Sequence, residues 1–211
     1  MFFSFDGIDG VGKSTQVRLF CDALRERGFE VVACRDPGST PLGERIRELL
    51  LTSDADTPIG VQSEMLLYMA ARVQLVEEVI RPALEAGKVV VSDRYVLANI
   101  AYQGHAGGLD PDSVREVGRI ATGGTLPDCV FLLDMVPREA DQRLNRPRDR
   151  MESQGDDYRK RLREGFLAEA ARGDGRIHVI DAGRPIDVVQ ADIWRIASQV
   201  MGLSPSEEQD G

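Results

Sequence analysis

The chain has 211 residues, of which 42% are hydrophobic and 29% charged, with a formal net charge of −9. That length suffices for one full core, and the acidic balance argues against broad, charge-driven binding to nucleic acid or a membrane surface. The start MFFSFDG lacks a basic segment, no stretch approaches a membrane span, and Cys21, Cys34 and Cys129 lack metal-ligand spacing, so a cytoplasmic protein with reduced thiols is expected.

A short apolar run, Phe2 to Phe5, leads into "DGIDGVGKST", and an amphipathic pattern follows from Gln16 to Leu24. Gly7, Gly12, Lys13 and Ser14 fit the P-loop spacing, and the run before and pattern after supply the strand and helix that it requires. Glycines let successive N–H groups turn inward, and the helix adds the positive end of its dipole, so such a loop cradles a polyphosphate. Lys13 is expected as a surface point charge reaching the β and γ oxygens, and Ser14 as a hydroxyl ligand for Mg2+. A nucleoside triphosphate is implied; the reaction is not.

Further strand-like runs are Val31 to Cys34, Val89 to Ser92, Val130 to Asp134 and Ile177 to Ile180, each followed by a helical pattern. This alternation predicts an α/β fold, a parallel sheet with helices on both faces, spanning residues 1–203 as one domain. Ligands in such sheets bind beyond the carboxyl ends of the strands. The residues to inspect are therefore Arg35 to Gly38, Asp93 to Tyr95 and Asp134. The polar end, Ser204 to Gly211, reads as a loose tail.

The longest helical pattern runs from Ser63 to Ala86, with a core stripe at Leu66, Met69, Val73, Val76, Ile80 and Leu84. Tyr68 and Arg72 lie four residues apart on another face, an aromatic beside a bidentate donor. Spacing alone fits a nucleobase clamp and a surface contact equally. If Val96 to Gln103 is helical, Asn99, Tyr102 and Gln103 share a face near Asp93 and Arg94. Arg143, Arg146, Arg148 and Arg150 lie in a stretch without periodicity, which fits a flap over the triphosphate or an ordinary solvated loop. The variable P-loop positions, Ile8 to Val11, carry no arginine, so cationic help for the transferring phosphoryl group must come from elsewhere, which favours the flap.

Taken together, "FDGIDGVGKSTQ", "RDPGSTPLGERIRELLL", "LLYMAARVQLVEEVIRPAL", "VVSDRYVLANIAYQG", "LPDCVFLLD" and "RDRMESQGDDYRKRLREGFL" resemble, in order and spacing, the thymidylate kinases, which phosphorylate dTMP with ATP. The likeness covers Phe2 to about Met201. It implies a P-loop NTPase-type fold with a short arginine-rich lid at about 146–155, and a homodimer. ATP would bind Gly7, Gly10, Gly12, Lys13, Ser14 and Thr15, with Mg2+ at Ser14 and, through water, Asp93. By the same resemblance Asp9 approaches the sugar and phosphate of dTMP, Arg94 clamps that phosphate, and Asp36 and Pro37 belong to the phosphate loop. Tyr68 stacks on thymine, Arg72 and Asn99 bond its edge beside Gln103, and Tyr102 lies under the deoxyribose. Arg150 or Arg146 supplies the catalytic arginine missing from the P-loop. The chain departs from the family's usual Arg-Glu-Pro-Gly-Gly-Thr with Asp36 and Ser39, and from a usual serine with Ala98. Another P-loop nucleotide or deoxynucleoside kinase shares much of this chemistry, whereas a non-enzymatic nucleotide sensor would keep the fold and could dispense with the transfer residues. A guanine-reading switch does not, since no Asn-Lys-x-Asp sequence is present.

Overall fold

The computed structural model describes residues 1–52, 58–143, 155–173 and 175–203. Its sheet has strands β1 (Phe2–Asp6), β2 (Val31–Arg35), β3 (Val89–Asp93), β4 (Cys129–Asp134) and β5 (Ile177–Asp181), in the order β2-β3-β1-β4-β5. All neighbours are parallel, with Ser4 opposite both Ser92 and Val130. Apolar residues fill β1, β3 and β4 because helices cover these central strands on both sides. Alternate side chains of β1 serve opposite faces. Phe3 and Phe5 meet Phe20 at 5.1 and 5.6 Å between ring centroids, whereas Phe2 packs edge-on to Tyr95 at 5.0 Å.

On the Phe20 side lie α1 (Lys13–Glu26) and α9 (Ile186–Met201), packed together. The helices α2 (Pro41–Thr52) and α3 (Val61–Leu75) pack as a pair. A π-helical turn, Val76–Ile80, joins α3 to α4 (Arg81–Glu85), so the expected long helix exists but is widened just before Pro82. That proline has no N–H to donate, and its ring crowds the carbonyl of the preceding turn. Beyond β3, α5 (Val96–Asn99) continues as a second π-helical segment, Ile100–Ala106. Then come α6 (Pro111–Ala121), α7 (Pro137–Gln142) and α8 (Asp156–Ala171), the last packed on Ile100–Ala106.

The stripe expected along α3 is displaced by one residue at its start. Leu66 is 53% exposed, while Met65, Met69, Arg72 and Val76 are buried. A buried arginine within the stripe does not register in an apolar pattern, so spacing selected Leu66 where Met65 is the buried residue. No helix among the described residues is long and apolar enough to cross a membrane.

Candidate active site

The loop between β1 and α1 takes the conformation its glycines permit, with φ of 135°, 87° and 95° at Gly7, Gly10 and Gly12. A Cβ at Gly7 would lie 2.4 Å from the Leu133 carbonyl oxygen, so a side chain there would displace β4. No side chain caps α1, leaving its first N–H groups available to an anion. Lys13 is not the surface charge that the sequence suggests: it is 7% exposed, and Nζ donates to the carbonyls of Gly7 (2.9 Å) and Ile8 (2.7 Å). Burial, with Arg94 nearby, lowers its pKa. Ser14 Oγ donates to Asp93 Oδ2 at 3.3 Å, joining the two residues expected at a metal. A hydroxyl and one carboxylate suit Mg2+, which retains waters and takes its remaining ligands from phosphates. Among the described residues no cluster of three or more His, Cys, Asp or Glu could hold a metal ion.

Arg94 has φ of 72°, a conformation that non-glycine residues rarely adopt. Its guanidinium donates to the Gly7 carbonyl (3.2 Å), Asp9 Oδ1 (2.7 Å) and Tyr102 Oη (3.2 Å), and lies 5.0 Å from the Tyr102 ring centroid. Tyr102 Oη donates in turn to Asp9 Oδ2 at 3.2 Å. Burial opposes the charge on Asp9, but Arg94 and Lys13 outweigh it and hold the carboxyl well below the usual range. Tyr102 is backed by Tyr158 Oη, which donates to its carbonyl, and by the edge of Phe166.

Two cavities flank this knot. The smaller, about 100 Å³, is lined by Tyr68, Arg72, Asn99, Tyr102 and Gln103, with Asp36 and Pro37. All nine residues expected to bind substrate line it, since Asp9 and Arg94 do so too. The larger, about 950 Å³, runs from the P-loop, Thr15 included, to the segment after β5, Ala182 to Ile186. Asp9, Arg47 and Arg94 line both, so the cavities meet at these three residues. Tyr68 and Arg72 line the same cavity; the Arg72 guanidinium also lies 5.3 Å from the Tyr95 centroid, while Nε donates to Asp36 Oδ2 (2.5 Å) and Nη2 to Asn99 Oδ1 (2.5 Å). Asp36 Oδ1 is buried without a hydrogen-bond partner.

Two contributors, Arg47 and Gln16, lie outside the sequence-level reading, and Arg143 of the arginine-rich stretch joins them around the larger cavity. Arg47 donates to the Pro37 carbonyl (3.1 Å), Gln16 Nε2 to the Ile186 carbonyl (3.0 Å), and Arg143 Nη1 to the Ala182 carbonyl (3.0 Å). Helical spacing on α2 puts Arg47 beside the buried face of Gly43, Ile46 and Leu50, a signal that was available. Nothing local marks Gln16 as a site residue. Asp134, flagged at a strand end, instead makes a bidentate pair with Arg163 at 2.8 and 2.7 Å. Arg146 and Arg150 lie outside the described residues, as do Arg148 and most of the expected lid.

Asp6, just before the loop, is fully buried, with neither carboxyl oxygen hydrogen-bonded. Burial, only partly offset by Arg94 and Lys13, pushes its pKa up to about 7. The folded state therefore binds more protons than the unfolded state between the ordinary value of 3.8 and about 7, and stability falls as pH rises through that window. Asp6→Asn removes the penalty. In urea melts the variant should match wild type near pH 4 and exceed it at pH 8 by on the order of a few kcal/mol. A difference independent of pH would contradict this.

The sequence model of the family described as thymidylate kinase matches residues 5–193. Thymidylate kinases of Bifidobacterium longum and Rhodopirellula baltica are 46% and 43% identical, each over 92% of this chain, covering 95% and 78% of their own lengths. The crystal structure of thymidylate kinase from Ehrlichia chaffeensis superposes with a TM-score of 0.78 at 29% identity, covering 93% of this chain and 98% of that one. Its fold is thus of the P-loop NTPase type. The loop, the paired cavities and these likenesses agree, and the chain belongs to the thymidylate kinase family.

Proposed function

We propose that the joined cavities are the donor and acceptor halves of one phosphoryl-transfer site, in which ATP phosphorylates dTMP to dTDP, a step of dTTP synthesis. The observation that carries this is their meeting at Asp9, Arg47 and Arg94, between a P-loop and a pocket lined by polar and aromatic groups. Little covalent chemistry is asked of the protein in such a transfer; positioning and charge stabilisation dominate. Lys13 and the amides from Gly7 to Thr15 hold the ATP phosphates. Ser14 and, through water, Asp93 would hold Mg2+, which would supply charge neutralisation for the phosphates. Arg94, oriented by Asp9 and Tyr102, holds the dTMP phosphate in line. Tyr68 stacks on thymine, Arg72, Asn99 and Gln103 face its edge, and Tyr102 lies beneath the sugar. Asp36 and Pro37 shape the loop near the phosphate, where Arg47 adds a donor. ADP release measured with and without dTMP tests the reading: it should require dTMP, and turnover indifferent to dTMP would overturn it.

The charge that develops on the transferring group falls to Arg150, with Arg146 as the alternative, because Ile8 to Val11 offer no cation. Arg150→Ala should lower kcat at least tenfold with KM for dTMP little changed, since a lid arginine acts on the transition state more than on binding. Wild-type rates in both single variants and their double mutant would place the catalytic cation elsewhere. Homodimer formation is part of the same proposal, supported by Leu66 and Ile120, exposed on the packed pair α3 and α6; light scattering tests it. Three buried free thiols support a reducing, cytoplasmic setting.

A further inference from the structure

Behind the smaller cavity runs a buried chain of four side chains. Arg72 Nη2 donates to Asn99 Oδ1 (2.5 Å), Asn99 Nδ2 to Gln103 Oε1 (2.6 Å), and Gln103 Nε2 to Glu64 Oε1 (2.7 Å). None is more than 3% exposed. The amides in the middle could each turn over, since their O and N ends have nearly the same shape. The ends cannot: a guanidinium only donates and a carboxylate only accepts. Turning both amides would set an N–H of Arg72 against an NH₂ and an amide oxygen against the oxygen of Glu64. The direction of the chain is therefore imposed from both ends.

Glu64 does not line the cavity, whereas Arg72, Asn99 and Gln103 do. Its carboxylate sits in the first turn of α3, where the N-terminal end of the helix favours a negative charge. We propose that Glu64 is a positioning residue for the nucleobase: by accepting from Gln103 it sets which atoms of the two amides are left to face the cavity. This rests on the thymidylate reading above. Each amide commits one N–H and one lone pair to the chain, so its second N–H and lone pair meet the base in fixed order. A thymine ring, with an N–H between two carbonyls, meets the same pattern at every encounter. Without the terminal acceptor, Gln103 would bury an unsatisfied donor or swing away, and one such loss weakens binding by about tenfold or more.

The test compares Glu64→Met, which keeps length and bulk without an acceptor, with Glu64→Gln, whose amide oxygen can still accept. Steady-state kinetics should show KM for dTMP raised about tenfold or more in Glu64→Met, with kcat and KM for ATP within about twofold of wild type. Glu64→Gln should recover to within about threefold of wild-type KM. A purely structural role predicts a different result, with both substrates and kcat affected together; that outcome, or Glu64→Gln as impaired as Glu64→Met, overturns the proposal. If Glu64→Met does not fold, NMR of ¹⁵N-labelled wild type decides. Side-chain amide protons of Gln103, assigned with Gln103→Glu, should exchange slowly in the free enzyme; exchange at the rate of a solvated amide overturns the assignment. Wild type in the same assay separates the two failures: no dTMP-dependent ADP release defeats the functional reading, whereas normal release with an unaffected Glu64→Met defeats only this one.

Discussion

Lys13→Met should lower kcat by about 10² to 10³ while the protein stays folded, because one preorganised phosphate contact is lost from the transition state. Methionine is chosen because Lys13 is buried and its stem fills space that alanine would leave empty. Two effects on stability oppose each other. The carbonyls of Gly7 and Ile8 each lose a donor, a net loss of about 1 kcal/mol per hydrogen bond. Against that, a cation whose charged form burial disfavours is removed. The melting temperature should therefore move by only a few degrees, and a thermal melt beside the ADP assay checks both halves. Near-normal turnover in the folded variant would remove the P-loop lysine from the reaction.

The second large effect is expected at Arg94. Arg94→Ala should reduce kcat/KM for dTMP by about 10³ or more, because a half-buried, bidentate-capable guanidinium is lost where the two cavities meet. Part of the damage would be to folding: Asp9, half-buried, would lose its 2.7 Å partner and keep Lys13 only at 3.5 Å, and a hydrogen bond to a charged group contributes about 1.5–3 kcal/mol. The double variant Asp9→Asn/Arg94→Ala separates these contributions. Its urea midpoint should recover most of what Arg94→Ala loses, since no unpaired charge remains, while activity stays low. Activity that recovers along with stability would mean that Arg94 supports the fold and does not act on the phosphate.

The local chain carries its own backbone states. Each of the five apolar runs became a strand whose ends lie within one residue of the expected positions, because alternation or continuity of burial is a property of neighbouring residues. The P-loop was equally legible: Gly7, Gly12, Lys13 and Ser14 act within one turn of chain, and strand ends at Phe5 and Ser92 already put Asp93 and Arg94 on the ligand side of the sheet. What pairs with what was decided elsewhere. Lys13 is buried because the loop folds its carbonyls over the ammonium, and Arg72 occupies a core stripe because Asp36 and Asn99, 36 and 27 residues away, satisfy it. Gln16 reaches Ile186 across 170 residues, and Asp134 is taken by Arg163 rather than by the site. These partners depend on the strand order β2-β3-β1-β4-β5, which no local period encodes. A polar side chain buried without its partner costs free energy, so the address of Lys13, Gln16 or Arg72 is a property of the assembled sheet and not of the segment that carries it.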